Sequence, residues 1–348
     1  MKRVMLVIAY DGTNYCGWQI QPNGITIEEV LNRELTRLLK EEIQVIGASR
    51  TDSGVHALGN LAVFDTETKI PAEKICFALN QWLPQDIRIQ DSWEVPLSFH
   101  PRKCNSRKTY EYQILNRRFE IPSCRLYSYF VYLPLDITAM QAAAAYLVGE
   151  HDFVSFCSAR SQAEDTYRTI YRLEIDKQGD MITIQINGNG FLYNMVRIIV
   201  GTLIKVGLGV YPPEHVKEIL DARDRQVSGP KAPAKGLTLL SIEIEKELPA
   251  VWEMENQEFS YRVLQQDIRE KQTAYIQIRR CVEEEYRRLI ERLSCQVFRN
   301  GARTIYLQCL EKEKVDRWRW ERYLFEPCRF ERDGEYYEYK CQMKEDDF

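Results

Sequence analysis

Residues 49–57 constrain this chain more than any other segment, because they combine a cation, a carboxylate, a glycine and a histidine in one short stretch. Gly54 can adopt a positive φ angle and favours a sharp turn, and the apolar stretch 61–64 is typical of a buried strand. By itself, Asp52 fits an Asx-turn or a helix cap. Its neighbour Arg50 adds a second interpretation, since a guanidinium can bind phosphate or hold a carboxylate ionised. The segment therefore predicts a turn before a strand, with a carboxylate that is either structural or reactive.

Predicted strands and helices alternate twice along residues 1–248. Thr26 is a candidate N-cap before apolar residues at helical spacing, and the stretch 109–115 alternates as a strand does. We predict an α+β fold with two RRM/ferredoxin-like subdomains, 1–105 and 106–248, that share a mostly antiparallel sheet with helices on one face. The predicted strands are 5–10, 61–64, 109–115, 169–175, 181–186 and 237–244, and the predicted helices are 27–39, 71–79, 135–147 and 191–206.

Residues 249–348 differ in composition from the rest and are predicted to be an extra C-terminal region. Apolar residues at helical spacing predict a long amphipathic helix near 262–293. The dipeptide Asp333-Gly334 lies between aromatic residues and predicts a hairpin over 329–342. Because disordered tails contain few aromatic residues, we expect this helical and hairpin extension to be folded.

Charge and cysteine content limit the class of protein. The net charge of −4 argues against a uniformly basic surface for nucleic acid, so any such function depends on local basic patches. No apolar run approaches the length of about 18 residues that indicates a membrane-spanning helix, and the first residues lack the apolar core of a signal peptide. The ten cysteines include no C-x-x-C pair, which predicts free thiols in a reducing cytoplasm rather than disulfides or a zinc site.

Two further segments carry candidate functional residues. Basic residues within 102–110 lead into Tyr110, and such a pattern is suited either to RNA, through phosphate contacts and base stacking, or to a solvated sheet edge. Arg197 interrupts the apolar run 190–201. A buried guanidinium there needs a partner carboxylate, whereas one at a helix edge can extend to water. His56 offers a further polar group, although a structural histidine is the simpler interpretation.

Six segments in a fixed order resemble the tRNA pseudouridine synthase A (TruA) family. The central family motif reads G-R-T-D-A-G-V-H-A, and this chain differs from it at Ser49 and Ser53, both small residues. The resemblance covers about residues 1–246 and leaves the C-terminal region unmatched. The six segments are 10–19, 49–57, 107–110, 149–156, 195–201 and 232–237.

The resemblance implies an isomerase that converts uridine to pseudouridine at positions 38 to 40 of tRNA, in the anticodon arm. It implies a cytoplasmic homodimer without membrane association, cofactor or metal. Asp52 corresponds to the nucleophile, Arg197 to its counter-ion, and Tyr110 to an active-site residue that stacks on the flipped uracil. The remaining substrate-binding residues are expected to be Arg50, Arg107, Lys108 and His56.

Alternatives to this function stay open at the level of sequence. One is a tRNA-binding factor without catalysis on the same scaffold, which the joint presence of Asp52, Tyr110 and Arg197 disfavours. Another is a nucleoside or glycoside hydrolase, which normally needs a second catalytic carboxylate. The C-terminal region is expected to extend a dimer interface or to widen the contact with RNA, and a solvated helix with ordinary i,i+4 charge pairing is the simpler interpretation of its charged residues.

Overall fold

The computed structural model divides into two compact units, residues 1–246 and 247–348. In the first unit it describes residues 1–158 and 165–244, and in the second unit it describes six strands. The two units are considered separately.

The described part of the first unit contains ten strands and five α-helices. Its strands are β1 (Lys2–Tyr10), β2 (Ile46–Gly47), β3 (His56–Thr66), β4 (Ile87–Val95), β5 (Ser106–Asn116), β6 (Tyr129–Val131), β7 (Gly149–Asp152), β8 (Tyr167–Gln178), β9 (Met181–Gly188) and β10 (Leu237–Ile244). Its helices are α1 (Ile27–Leu39), α2 (Ala72–Leu79), α3 (Ile137–Ala145), α4 (Met195–Gly207) and α5 (His215–Ala222).

All ten strands belong to one sheet, which confirms the predicted α+β fold with a mostly antiparallel sheet. The strand order is β4-β1-β3-β10-β5-β9-β8-β7, with β2 paired to β3 and β6 paired to β5. Only the β10–β3 and β5–β6 pairs are parallel within this sheet. The last strand of the unit thus lies between β3 and β5 and joins the two halves of the sheet.

The junction between the halves lies at the start of β3. There Thr238 pairs with His56 and Leu239 pairs with Ala57, while β10 pairs with β5 along its other edge. Residues 49–55 immediately precede this point in the chain. The topology therefore brings the 49–57 segment next to strands and loops of the second half.

One face of the second half of the sheet is apolar. In β9 the residues Ile182, Ile184 and Ile186 are fully buried, while the residues between them are half-buried. Helices α3 and α4 contact each other, and α3 contacts β8. The side chain of Gln141 in α3 donates a hydrogen bond to the backbone oxygen of Ile175 in β8. The alternation of buried and half-buried residues along β9 therefore determines which face of the sheet the helices cover.

Helix α1 agrees with its sequence pattern at both ends. The hydroxyl of Thr26 accepts a hydrogen bond from the backbone N–H of Glu29, as an N-cap does. The helix ends at Lys40, whose φ of 61° is left-handed. The buried positions follow the i, i+3, i+4 spacing, namely Ile27, Val30, Leu31, Glu34, Leu35 and Leu39.

Helix α4 begins at Met195 rather than at 191, so the predicted helix was four residues too long at its N-terminus. Asn194 has a φ of 62° and cannot continue a right-handed helix. The apolar pattern extends further because Phe191 and Leu192 pack into the core without being helical. Helix α5, strand β4 and the short strands β2, β6 and β7 were not predicted.

The second unit contains a six-stranded sheet of its own. Its strands are β11 (Val251–Glu255), β12 (Phe259–Gln265), β13 (Thr273–Cys281), β14 (Thr304–Cys309), β15 (Phe325–Arg329) and β16 (Tyr337–Gln342), in the order β11-β12-β13-β14-β16-β15. Strands β15 and β16 are antiparallel and flank the predicted turn. The turn residues Asp333 and Gly334 lie outside the described residues.

The long helix predicted near 262–293 is wrong over the part that the structure describes. Antiparallel strands β12 and β13 occupy 259–265 and 273–281 instead. Apolar residues alternate with more polar ones along 273–279, and the apolar positions include Ile276 and Ile278. β-branched residues at a period of two favour a strand. The rest of the predicted helix, 282–293, lies outside the described residues.

No helix in the described part of the chain is both long enough and apolar enough to cross a membrane.

Candidate active site

Asp52 is the first residue of a tight turn that leads into β3. Its backbone oxygen accepts a hydrogen bond from the N–H of Val55 at 3.1 Å, and Gly54 within the turn has a φ of 76°. A residue with a side chain adopts that conformation at a cost, which explains the glycine. The Asp52 side chain remains 21% exposed. The turn therefore holds the carboxylate at the surface of a cleft while its backbone is fixed.

Buried hydrogen bonds fix the residues that precede Asp52. The hydroxyl groups of Thr51 and Tyr10 lie 2.6 Å apart. The amide of Asn60 donates to the backbone oxygen of Ser49 at 3.0 Å and to the Tyr10 hydroxyl at 3.3 Å. Since buried polar groups that are fully bonded rigidify their surroundings, this network makes the 49–51 backbone a fixed platform.

The carboxylate of Asp52 forms an ion pair with Arg197. Nη1 of Arg197 lies 3.0 Å from Oδ2 of Asp52, and the Arg197 side chain is 10% exposed. Oδ1 of Asp52 makes no hydrogen bond to any residue that the structure describes. One carboxylate oxygen is thus held by a guanidinium, and the residue that carries it lines the cleft.

Two further acceptors hold the guanidinium of Arg197 in place. Nε donates to the backbone oxygen of Ala232 at 2.8 Å, and Nη1 donates to Oδ1 of Asn194 at 3.1 Å. The Ala232 segment approaches α4 closely because residue 201 is glycine, where a Cβ atom would lie 1.7 Å from the backbone oxygen of Pro230. Gly201 therefore acts through packing, and the guanidinium has the hydrogen bonds that a buried charge requires.

Tyr110 is buried beside the same turn. Its hydroxyl lies 2.9 Å from Oγ of Ser49, and its ring packs edge-on against Phe191 at 5.3 Å between centroids. Burial raises the pKa of Tyr110 to about 12; the Ser49 hydrogen bond opposes this rise and the negative charge of Asp52 adds to it. The phenol thus stays protonated at neutral pH and lies within the electrostatic range of Asp52.

These groups line an open cleft of about 1240 Å³ that both halves of the first unit enclose. Its described lining contains five cationic side chains (Arg50, Arg102, Lys108, Arg168 and Arg197) and two anionic ones (Asp52 and Asp165). A concave surface with an excess of positive charge attracts a polyanion, although the whole chain is acidic. The local basic patch that the sequence required is therefore present.

Arg50 and Lys108 both line the cleft but differ in environment. The Arg50 side chain is exposed and makes no hydrogen bond or ion pair within the described residues. Lys108 donates to the backbone oxygen of Ala48 at 3.1 Å, and burial lowers its pKa to about 8. Arg50 is suited to contact a ligand, whereas Lys108 also supports the backbone before the turn.

Arg107 and His56 are predicted site residues that do not line the cleft. Arg107 and Lys108 are consecutive residues of β5, so their side chains lie on opposite faces of the sheet. The guanidinium of Arg107 lies 4.3 Å from the ring centroid of Tyr171. His56 is 5% exposed. It accepts a hydrogen bond from the N–H of Gly12 and contacts the backbone oxygen of Leu126 at 3.1 Å. Neither residue therefore belongs to the described lining of the cleft.

Four residues were not assigned a role from sequence although they shape the site. Ser49 bonds the hydroxyl of Tyr110, Phe191 packs on its ring, and Asn194 and Ala232 hold Arg197. An asparagine immediately before an apolar helix is a detectable signal, since Asn tolerates the left-handed conformation. The other three depend on contacts that are distant in sequence.

The arrangement supplies a held carboxylate, a buried phenol and a guanidinium in one cleft. Within the described ranges no group of three or more His, Cys, Asp or Glu side chains is placed to hold a metal ion. A carboxylate with one unbonded oxygen can act as a nucleophile, and a phenol can take part in proton transfer.

The chain is similar to known proteins over this same unit. The sequence profile described as tRNA pseudouridine synthase matches residues 6–102 and 143–243. Proteins named tRNA pseudouridine synthase A from Thermoanaerobacter sp. (strain X514) and Brevibacillus brevis are 51% and 49% identical to this chain. Each alignment spans 242 residues, which are 70% of this chain and 99% of the relative.

A solved structure titled "Crystal Structure of a Cbf5-Nop10-Gar1 Complex" matches 68% of this chain and 47% of that chain, at 13% identity and a TM-score of 0.26.

Proposed function

This chain belongs to the tRNA pseudouridine synthase family, and on that premise we propose that it modifies uridines 38 to 40 of the anticodon arm with Asp52 as its nucleophile. The enzyme is an isomerase that converts uridine in tRNA to pseudouridine. What we propose beyond this is the tRNA arm that is modified, the positions of the modified uridines and the role of Asp52. The observation that carries the role of Asp52 is its ion pair with Arg197, which binds Oδ2 and leaves Oδ1 without a hydrogen-bonding partner among the described residues.

The reaction rearranges bonds without any net change in atoms. The glycosidic bond from N1 to C1′ breaks, the uracil rotates, and a bond from C5 to C1′ forms. C5 loses its proton and N1 gains one, so no oxidant or reductant is needed. A nucleophile that attaches either to C1′ or to C6 of the base can hold one fragment during the rotation and then leave.

Arg197 fixes the geometry of this nucleophile. Its guanidinium has three acceptors, which are Oδ2 of Asp52, Oδ1 of Asn194 and the backbone oxygen of Ala232. A carboxylate held on one side attacks from a defined direction, which is the contribution of orientation to catalysis. The other oxygen, Oδ1, is the attacking atom in this proposal.

The target uridine leaves its stack before it reaches Asp52. Base flipping costs a few kcal/mol, and stacking on an aromatic ring recovers roughly 1–3 kcal/mol per base. Tyr110 and Phe191 present aromatic surface in the cleft, and Tyr193 lies on its lining with 45% of the residue exposed. We assign stacking and proton transfer to Tyr110, and contact with the tRNA backbone to Arg50 and Lys108.

The proposed partner is the anticodon arm of tRNA, bound by a homodimer. The excess of cationic side chains in the cleft lining supports a polyanionic ligand. The homodimer rests on the family resemblance. Residues that match the family profile end at 243, so the proposed site lies wholly within the first unit.

The position specificity is tested by treating unmodified tRNA transcripts with the full chain and mapping pseudouridine chemically at each nucleotide. We expect modification at uridines among positions 38 to 40 and none in the other arms. A matched transcript with cytidine at those three positions is the control and is expected to remain unmodified. Modification that appears only elsewhere in the tRNA contradicts the proposed positions.

Arg50→Ala is expected to weaken tRNA binding about tenfold and to lower the slope of log affinity against log salt by about one, since one phosphate contact is lost. Filter binding at several salt concentrations measures both quantities. Arg172→Ala is the matched control, because Arg172 is an exposed arginine paired with Glu174 at 3.0 Å and lies outside the cleft lining. Equal losses in the two variants would show that Arg50 has no specific contact.

A further inference from the structure

Lys108 is a half-buried cation that pairs with no carboxylate in the described part of the chain. Its Nζ donates to the backbone oxygen of Ala48 at 3.1 Å, which uses one of its three N–H bonds. Among the groups that affect its pKa, Cys104 is the one that can become an anion, but burial raises the pKa of that thiol and keeps it neutral at pH 7. A cation taken out of water needs an anionic partner, which Arg197 has in Asp52. The structure therefore leaves a position beside Lys108 for an external anion.

Two arginines lie near Lys108 in the same cleft. The positive charges of Arg168 and Arg102 both lower the pKa of Lys108, so both lie within its electrostatic range. Lys108 on β5 and Ile170 on β8 both pair with Gly188 of β9. Arg168 comes two residues before Ile170 on β8. Because residues at a period of two share a face of a strand, Lys108 and Arg168 lie on the same face of the sheet.

Both arginines have N–H groups left to bind an anion. Arg102 is exposed, and its guanidinium makes no hydrogen bond or ion pair within the described residues. Nη1 of Arg168 donates to the backbone oxygen of Tyr167 and lies 3.8 Å from the exposed carboxylate of Asp165. Nε and Nη2 of Arg168 have no partner among the residues that the structure describes. Three cations thus converge where a single exposed carboxylate is close to one of them.

These cations lie close to the tyrosine of the proposed site. Lys108 and Tyr110 are two residues apart on the same face of β5, which is roughly 7 Å along a strand. The Arg168 side chain passes Gly190, where a Cβ atom would lie 3.7 Å from Cδ and Nε of Arg168. The residue after Gly190 is Phe191, whose ring packs on Tyr110. An anion bound by Lys108 and Arg168 is therefore a close neighbour of a base at Tyr110.

We propose that Lys108, Arg168 and Arg102 form a binding site for one phosphodiester group of the RNA, the one directly 5′ or directly 3′ of the target uridine. A phosphodiester carries one negative charge and two free oxygens, which suits an ammonium and a guanidinium on the same face of a sheet. The inference rests on the proposed function, because it assigns a phosphate contact within the same cleft. It explains why the half-buried Lys108 has no carboxylate partner.

The bound phosphate holds Lys108 in its charged form. In the free protein burial lowers the pKa of Lys108 to about 8; Arg168 and Arg102 lower it as well, and Cys104 opposes them. A neighbouring negative charge favours the ammonium and raises this pKa. Since the protonated lysine is the form that binds, the affinity of the wild-type protein for tRNA is expected to fall as the pH rises through about 8. Lys108→Arg keeps the charge without titrating and is expected to lose this pH dependence.

The test combines protein variants with tRNA in which one phosphate beside uridine 39 is replaced by a neutral methylphosphonate. Each substituted linkage follows a 2′-deoxynucleotide, which removes the hydroxyl that would cleave it, and tRNA with the deoxy sugar alone is the reference. We expect one of the two substitutions to weaken binding by the full-length wild type about tenfold, since a charge-assisted contact is lost. Filter binding at pH 7 measures the dissociation constants.

The coupling between protein and RNA changes identifies the contact. At the sensitive position, the methylphosphonate is expected to cost much less than tenfold in Lys108→Met and in Arg168→Met, because part of the contact is already lost. Arg102→Met is expected to show the same coupling at smaller size, as an exposed cation does. Lys177→Met is the matched control, because Lys177 is an exposed lysine of β8 outside the cleft lining. It is expected to keep the affinity of wild type and its response to each methylphosphonate.

Fully additive losses for Lys108→Met and Arg168→Met at both phosphates overturn the inference. Coupling of these two variants to different phosphates does so as well, because the three cations then do not share one group. A pH dependence near 8 that persists unchanged in Lys108→Arg contradicts the role of the lysine charge. If wild type binds tRNA with the expected coupling but forms no pseudouridine at positions 38 to 40, the proposed function fails and the phosphate site stands.

Discussion

Asp52→Asn is expected to reduce pseudouridine formation by at least about 10⁴-fold, the scale on which loss of a nucleophile acts. The amide keeps the size of the side chain and can still accept from Arg197, which lies 3.0 Å away, but it cannot form the covalent intermediate. Since the tRNA-binding cations are unchanged, the dissociation constant for tRNA is expected to stay within about threefold of wild type. Single-turnover assays and filter binding measure the two quantities separately.

Asp65→Asn is a matched control for this experiment. Asp65 also forms an ion pair with an arginine, because Oδ1 of Asp65 lies 2.7 Å from Nε of Arg3, but it lies outside the cleft lining. This variant is expected to retain full activity. Turnover by Asp52→Asn at the wild-type rate would exclude Asp52 as the nucleophile and leave the non-catalytic tRNA-binding factor as the better description.

Arg197→Lys is expected to lower the rate by at least about 100-fold and the free energy of unfolding by about 2 kcal/mol. The substitution keeps the positive charge, but an ammonium cannot reproduce the planar fork that bonds Asp52, Asn194 and Ala232 together. Two lost hydrogen bonds at roughly 1 kcal/mol each give the expected destabilisation. The loss of rate follows because the Asp52 carboxylate is no longer oriented. Urea unfolding and single-turnover assays check the two predictions.

Arg3→Lys separates stability from catalysis in this comparison. Arg3 also makes three bonds, to both carboxylate oxygens of Asp65 and to the backbone oxygen of Phe99. The Arg3→Lys variant is expected to lose about as much unfolding free energy as Arg197→Lys does. It is expected to keep its activity at a temperature where it remains folded. If Arg3→Lys and Arg197→Lys lose activity in proportion to their stability, the role of Arg197 is structural only.

The ion pair at the site joins residues from the two halves of the sheet. Asp52 precedes β3, whereas Arg197 lies in α4 of the second half, and strand β10 joins the two halves by pairing with both β3 and β5. A guanidinium taken out of water loses hydration and needs its hydrogen bonds restored. The closed set of acceptors around Arg197 meets that need and leaves the carboxylate preorganised before substrate binds.

Local sequence patterns predicted an element correctly where a single local interaction determines its structure. The N-cap at Thr26 and the apolar spacing of α1 predicted that helix at both ends, because capping and burial on one face are local properties. The predicted start of α4 was wrong because Phe191 and Leu192 are buried without being helical. The predicted helix near 262–293 was wrong where strands β12 and β13 occur, since short apolar patterns do not separate periods of 3.6 and 2.

Neighbouring residues in the chain encode the turn at Asp52, the strand that follows it and the presence of a guanidinium that needs a carboxylate. Which arginine pairs with which carboxylate depends instead on the folded chain. Arg50 is two residues from Asp52 in sequence but faces the cleft, whereas Arg197 is 145 residues away and forms the ion pair. Local dihedral angles and turn chemistry are encoded by neighbouring residues, but contacts between distant residues depend on the order in which strands pair.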